Sequence, residues 1–296
     1  MNEQMFVDVL TDSEVVLDGS SYTCRRVDGG GAAQSCTSLF FPGCSFINYD
    51  PGLAGELFDD LRERGLVDGV TLLCCGKVLA FGEGAPAAKP AFQEELMGGL
   101  ASRGVERIVA ACPNCVAELE ALFRAEGSGI AVVPLSEVLA QAGFKVTVEE
   151  LAARLGEGGR GDATMPVAAV HDACPDRATG RFASSVRALF APEALVEKAH
   201  YQERSFCCGS LANAAGHPDV AQSQALQHGA EACEAHAGAL VVYCMSCARF
   251  LGTLQDSVPV FHYLELLFNK SIDWKNLSTD CELRFLSLSP GAPALP

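Results

Sequence analysis

The chain has 296 residues, 49% hydrophobic and 20% charged, a composition that suits a folded protein with room for two domains of ordinary size. A net charge of -16 and a pI near 4.7 argue against nucleic-acid binding, because neutralising phosphates takes clustered Lys and Arg. Met1-Asn2-Glu3-Gln4 lacks the basic start of a secretory signal, and the longest apolar stretch, Ala239 to Leu254, is broken by Arg249 and a Cys-x-x-Cys, so no membrane span and a cytoplasmic, reducing compartment are expected.

Residues 1–38 read as an N-terminal extension. Met5 to Leu10, Glu14 to Leu17 and Tyr22 to Val27 are short strand-type runs separated by the Asp18-Gly19 turn signal, and a small hairpin element is expected. Asp28 to Ala32 holds three glycines and reads as a joint; no GK[ST] follows, so it is not a phosphate loop.

A first domain is expected over residues 39–160. Ser38 to Phe41 is a buried-strand run ending in Pro42-Gly43-Cys44, and Leu53, Leu57, Phe58 and Leu61 recur at helical spacing before Gly65. Val70 to Leu73 predicts a strand running into Cys74-Cys75-Gly76, then a helix over Ala91 to Arg103 and a strand over Arg107 to Ala111 that ends at Cys112. Val116, Leu119, Leu122 and Phe123 mark the next helix; Ile130 to Val133 and Ser136 to Ala142 add a strand and a helix.

After a polar link at Glu157 to Gly161 the order restarts in a second domain, residues 161–270. Val167 to Val170 leads to His171-Asp172-Ala173-Cys174; Phe182 to Phe190 and Val220 to His236 are helical, on either side of Cys207-Cys208-Gly209. Leu240 to Tyr243 leads to Cys244, and Val258 to Phe261 with Tyr263 to Phe268 closes the half. Residues 271–296 read as a loose tail. The fold class expected is α/β: two tandem, repeat-related domains, each a small mostly parallel sheet flanked by helices, with cluster sites at strand C-termini.

Ten of the fourteen cysteines carry the repeat. Cys44, Cys74, Cys75, Cys112 and Cys115 form C-x29-CC-x36-CxxC, and Cys174, Cys207, Cys208, Cys244 and Cys247 form C-x32-CC-x35-CxxC. Adjacent cysteines are poor disulfide partners across a trans peptide, and each Cys-x-x-Cys falls at a helix N-terminus, where free N–H groups favour thiolates. Joint ligation of a multi-iron centre is the favoured reading. Zinc is the alternative, although a zinc ribbon would bring its two Cys-x-x-Cys pairs much closer in sequence and gives no reason for the doubled cysteine. A cubane needs four thiolates, so five per repeat is an excess the spacing does not explain. Cys24, Cys36, Cys233 and Cys281 fall outside the pattern. His171 and His262 are candidates for a proton source, or for a structural histidine at a strand end, and Lys77 for charge balance or plain solvation.

Phe41-Pro42-Gly43-Cys44, Cys74-Cys75-Gly76, Cys112-Pro113-Asn114-Cys115, His171-Asp172-Ala173-Cys174, Cys207-Cys208-Gly209 and the closing Val260-Phe261-His262 resemble the signatures of the cysteine-rich CCG-domain family, in particular the catalytic subunit of heterodisulfide reductase, over residues 38 to about 270. The resemblance implies two non-cubane [4Fe-4S] clusters, each on one set of five cysteines, and an oxidoreductase subunit that reduces a disulfide or related sulfur substrate between them. It also implies a ferredoxin-like or flavoprotein partner subunit, since no C-x2-C-x2-C-x3-C-P run is present to deliver electrons. A second activity it allows is electron transfer within a flavin-dependent lactate, glycolate or glycerol-3-phosphate dehydrogenase complex. Pro175 and the short Gly209-Ser210-Leu211 run depart from the family pattern.

Overall fold

In a computed structural model, residues 4–18, 21–26, 35–80, 85–157, 166–277 and Arg284 are described. The chain divides into two compact units, Met1–Val133 with Thr279–Pro296, and Pro134–Ser278.

The first unit is built on a seven-stranded sheet. Its strands are β1 (Gln4–Asp8), β2 (Ser13–Asp18), β3 (Ser21–Arg26), β4 (Ser38–Phe41), β5 (Gly69–Val70), β6 (Arg107–Ala110) and β7 (Ala131–Pro134), in the order β3-β2-β1-β5-β4-β6-β7. β1, β2 and β3 are antiparallel neighbours, while β1 with β5, β5 with β4 and β4 with β6 run parallel. The first sheet is thus larger and more mixed than the small, mostly parallel one expected, because the N-terminal strands add to the edge beside β5.

Among the described residues, four α-helices belong to this unit: α1 (Cys44–Tyr49), α2 (Pro51–Glu63), α3 (Ala85–Arg103) and α4 (Pro113–Ala125). α2 begins where the Asp50 carboxylate accepts from the Leu53 N–H at 2.9 Å, with Pro51 in the first turn, where its missing N–H costs nothing. It ends at Gly65, whose left-handed φ of 66° turns the chain so that Leu66 N–H reaches Leu61 O. Leu53, Leu57, Phe58 and Leu61 are all buried; each contributes about 1.5–3 kcal/mol on leaving water.

The strand expected over Val70 to Leu73 stops at Val70. The buried Asp8 carboxylate accepts from Leu72 N–H at 2.8 Å and from Thr71 Oγ1 at 3.0 Å, and so takes the backbone away from the ladder. Cys74 is steadied from the far end of the chain, its N–H bonded to Arg284 O at 2.8 Å.

The second unit holds a four-stranded, wholly parallel sheet in the order β11-β10-β8-β9: β8 (Ala168–His171), β9 (Leu195–Val196), β10 (Ala239–Val242) and β11 (Val260–His262). Its helices are α5 (Leu135–Gln141), α6 (Val148–Gly156), α7 (Arg181–Ala188), α8 (Ser210–Ala214), α9 (Pro218–Glu234), α10 (Met245–Leu254) and α11 (Tyr263–Leu267). α6 adds a helix to those expected, and Thr147 and Glu150 form the Thr-x-x-Glu capping box that starts it. Both units are therefore α/β, a sheet flanked by helices. No described helix is long and apolar enough to cross a membrane.

Candidate metal centre

β8 lies between β10 and β9, and all four of its residues are buried. Its last residue, His171, therefore projects from the centre of the sheet edge with no path to water; it is 0% exposed. Neither ring nitrogen has a hydrogen-bond partner. Burial brings its pKa down to about 3, so the ring is neutral, the form that binds metals. A buried imidazole with two orphaned nitrogens calls for a missing partner.

That partner position is framed by sulfur. One ligand atom each from His171, Cys208 and Cys247 lie within 4.8 Å of one another. A single tetrahedral ion with bonds of about 2.0–2.3 Å has ligand-to-ligand edges of about 3.3–3.8 Å, so a small closure completes the geometry. Cys247 sits in the first turn of α10, whose N-cap is Cys244, and Cys208 is presented by the turn at Gly209. Gly209 adopts φ 109°, and a Cβ there would meet Ala221 O at 2.7 Å. Glycine is required twice over, by conformation and by contact.

The other sulfurs form a chain. Cys174 is within hydrogen-bonding reach of Cys207, Cys207 of Cys208, Cys208 of Cys247, and Cys247 of Cys244. Hydrogen bonds from the Cys208 thiol to Cys207 and burial hold the Cys208 pKa up at about 11.

Behind the trio stands a polar layer that sequence reasoning missed. His228 on α9 meets the His171 ring edge-on at 4.4 Å and donates Nε2–H to Cys207 O at 3.3 Å; Phe206 stacks on its other face at 3.9 Å. Lys198, with a fully buried side chain, pairs with Glu231 at 3.4 Å. Asp172 takes both Arg187 guanidinium nitrogens at 2.7 and 2.9 Å, and Arg187 in turn clasps Glu197. Asp172 also accepts from Gln202 N–H, and its carbonyl from Ser205 Oγ. This network fixes the His171-to-Cys174 turn. His228 and Lys198 gave no sequence signal: each lies in a polar stretch that reads as surface.

In the first unit the sulfurs form the matching chain: Cys44 to Cys74, Cys74 to Cys75, Cys75 to Cys115 and Cys115 to Cys112. Hydrogen bonds from Cys115 and Cys74 bring the Cys75 pKa down to about 6. Cys112 is the N-cap of α4, with Pro113 in its first turn. Gly43, at φ 84°, lets the turn before Cys44 close on that helix, since a Cβ would lie 3.0 Å from Cys115 Sγ. No trio like that of the second unit occurs here among the described residues. Lys77 points to Glu118, 3.6 Å away, and Lys89 binds the same carboxylate.

Of the cysteines outside the pattern, Cys24 lies on β3, Cys36 is buried with its Sγ 3.5 Å from Ser38 O, Cys233 is exposed on α9, and Cys281 lies outside the described residues. None of the described cysteines is in a disulfide. His262 is fully buried at the end of β11, where burial brings its pKa down to about 3, and its backbone N–H bonds Glu265.

These features define a thiol-rich α/β protein. The model of the cysteine-rich (CCG) domain family matches residues 38–120 and 168–252, together more than half of the chain, and the chain belongs to that family. No curated protein matches it. Similar solved structures include a glutamate racemase isoform from Bacillus anthracis (13% identity, 79% of this chain and 78% of that one, TM-score 0.36). A glutamate racemase from Thermus thermophilus (17%, 80% and 78%, 0.31) and an aspartate racemase homologue from Pyrococcus horikoshii (11%, 79% and 96%, 0.31) also align.

The expectation of two [4Fe-4S] clusters is corrected by the ligand geometry. Such a cluster takes four thiolates, each facing its own iron across a bulky core. Among the described residues, the ligand atoms that converge are one imidazole and two thiols, a set for a single ion. With the clusters go the readings built on them: a heterodisulfide-reductase-type oxidoreductase subunit, and an electron-transfer iron–sulfur subunit of a dehydrogenase complex.

Proposed function

We propose that the protein binds a single thiophilic metal ion in its second unit, on His171, Cys208 and Cys247, and that zinc is the ion the site suits. The observation that carries this is the fully buried, neutral His171 with no partner for either ring nitrogen, beside two sulfurs within 4.8 Å. Borderline-soft Zn(II) favours one nitrogen and two thiolates, and three protein ligands leave a fourth position for water or a small ligand. The polar layer behind the ring would hold its orientation, as outer-layer partners of zinc histidines do. A cytoplasmic, reducing compartment would keep the ligands reduced.

The two units read as copies of one ancestral unit, a reading supported by the twofold family match and the two matching sulfur chains. The motif likeness to heterodisulfide reductase is one of kinship within the family. The test is metal analysis of the purified chain with cobalt(II) substitution. One ion per chain is expected, with sulfur-to-cobalt charge-transfer bands that His171→Ala shifts and Cys208→Ala with Cys247→Ala removes. A chain that holds no zinc or cobalt after exposure to either would end the proposal.

A further inference from the structure

A cavity of about 650 Å³ opens at the end of the second sheet opposite the metal site, and its volume is that of a small-molecule site. Gly238, just before β10, and Val258 and Pro259, just before β11, line it, whereas Cys244 follows the far end of β10. Its walls are part apolar. The Trp274 ring is fixed there, because its Nε1–H donates to Glu265 at 3.0 Å and its Cβ packs on Gly252, where an added Cβ would meet it at 2.8 Å. The charge around the cavity is one-sided. α9 ends on it through Cys233 and His236, and α10 through Gly252 and Gln255, and a helix C-terminus carries partial negative charge. Asp256 and Asp273 set two carboxylates against one ammonium, that of Lys275. Lys275 pairs with Asp256 at 2.6 Å, but the two side chains are 59% and 80% exposed, so water weakens the pair and another cation can replace Lys275 on that carboxylate.

We propose that this cavity binds an organic ammonium ion with an apolar body, of the arylalkylamine class, its charged end on Asp256 and its body against Trp274, Val258 and Pro259. The site is separate from the metal site and does not depend on it. Volume, apolar wall and sign of charge all bear on this ligand class. The body leaves water for the wall, which drives binding. The ammonium group stays at the exposed rim, so a full charge need not be stripped of water. An anion of the same shape would meet two carboxylates and two helix C-termini with Lys275 alone to favour it, and is rejected on charge.

Trp274 is the single tryptophan of the chain, so selectively excited tryptophan fluorescence reports on this cavity directly. The full-length chain is titrated at constant ionic strength with phenethylamine, phenethyl alcohol and phenylpropionate, which share a body and differ in charge. A saturable response to the amine is expected, about fivefold tighter than that to the alcohol, with none to the anion. The amine should also slow alkylation of Cys233, the exposed thiol on the same cavity, read by site-resolved mass spectrometry. Asp256→Asn should weaken amine binding about fivefold, and Lys275→Ala, which frees Asp256 of its competitor, should tighten it about twofold. Both changes break the same surface pair, so a purely structural effect of losing it would move the two affinities in the same direction. Shifts in the same direction would therefore overturn the proposal. So would an amine response no tighter than that to the alcohol, or the absence of both a saturable response and protection of Cys233.

Discussion

In both units a central parallel strand ends three residues before a single cysteine, but its last residue is Phe41 in the first unit and His171 in the second. Both side chains are fully buried, and both precede a turn that brings a single cysteine beside a doubled pair. Beyond them the sulfur chains correspond link by link: Cys75 with Cys115 answers Cys208 with Cys247. A phenyl ring has no lone pair to offer, whereas an imidazole in the same place turns two neighbouring thiols into three converging ligands. The difference between a thiol cluster and a metal site thus comes down, in this chain, to the residue behind the sulfurs.

Exchanging those two residues should have the largest effect. His171→Phe should weaken zinc binding by on the order of 10³-fold, about a third of the ~10–16 kcal/mol that a zinc site commands. Phe41→His should raise the zinc content toward two ions per chain, while the metal-free variant loses roughly 1–3 kcal/mol for an unpartnered buried ring. Equilibrium competition with a chelator measures the first, and metal analysis with urea unfolding the second. An unaffected zinc content in His171→Phe would mean that the imidazole is not a ligand.

The turn after the strand differs as well. Where the first unit has Pro42, the second has Asp172, 2% exposed and held by Arg187 on two oxygens. Arg187→Ala should cost about 3 kcal/mol, since it leaves a buried carboxylate uncompensated. Denaturant midpoints would show it, and Arg187→Lys should recover part of the loss through one nitrogen in place of a paired fork.

The glycines after the doubled cysteines meet different neighbours. Gly76 has φ 81° and faces the Phe92 ring, which a Cβ would meet at 2.4 Å; Gly209 has φ 109° and faces the backbone of Ala221. Alanine at either place costs about 1–2 kcal/mol for a left-handed backbone. A ring can swing aside and a helix backbone cannot, so Gly209→Ala should be the more destabilising by about 1–2 kcal/mol of overpacking. Equal losses in urea unfolding would mean that the two turns are equally tight.

Much of this frame was legible in the sequence. Short apolar runs ending at Cys44, Cys112, Cys174 and Cys244 do end in β4, β6, β8 and β10, because a strand buried on both faces reads as an unbroken apolar run. The second doubled cysteine escaped the rule: Cys207 stands well beyond β9, after the 3-10 turn Gln202–Arg204. Long-range polar replacement of a ladder also left no local trace. Nothing near Val70 to Leu73 announces that Asp8, more than sixty residues earlier, will bind Leu72 N–H. His171 was visible as a residue, but its role was not. Whether a strand-end histidine is a structural donor or a ligand depends on which groups face it in space, and Cys208 comes from the turn before α8 and Cys247 from the first turn of α10.

The smallest effect concerns how each central strand is started. In the first unit the Asp68 carboxylate accepts from Thr37 N–H at 3.1 Å, Ser38 N–H at 2.9 Å and Thr37 Oγ1 at 2.5 Å, just where β4 begins. In the second, Gly238 N–H donates to Val167 O at 2.7 Å where β8 begins. Those hydrogen bonds to Asp68, led by that from Thr37, hold its carboxyl below its ordinary value. A folded pKa below the unfolded one means that the unfolded chain takes up the proton first. The contribution is therefore complete above the ordinary carboxylate value and is lost as pH falls through the folded one. Asp68 is largely exposed, so the effect is local and small. Amide exchange at Thr37 and Ser38, corrected for its intrinsic pH dependence, should quicken as pH drops from 5 toward 3 (roughly the carboxylate range), while exchange at Gly238 shows no such step. Asp68→Asn should abolish the step and leave faster exchange at every pH, because an amide oxygen accepts more weakly than a carboxylate.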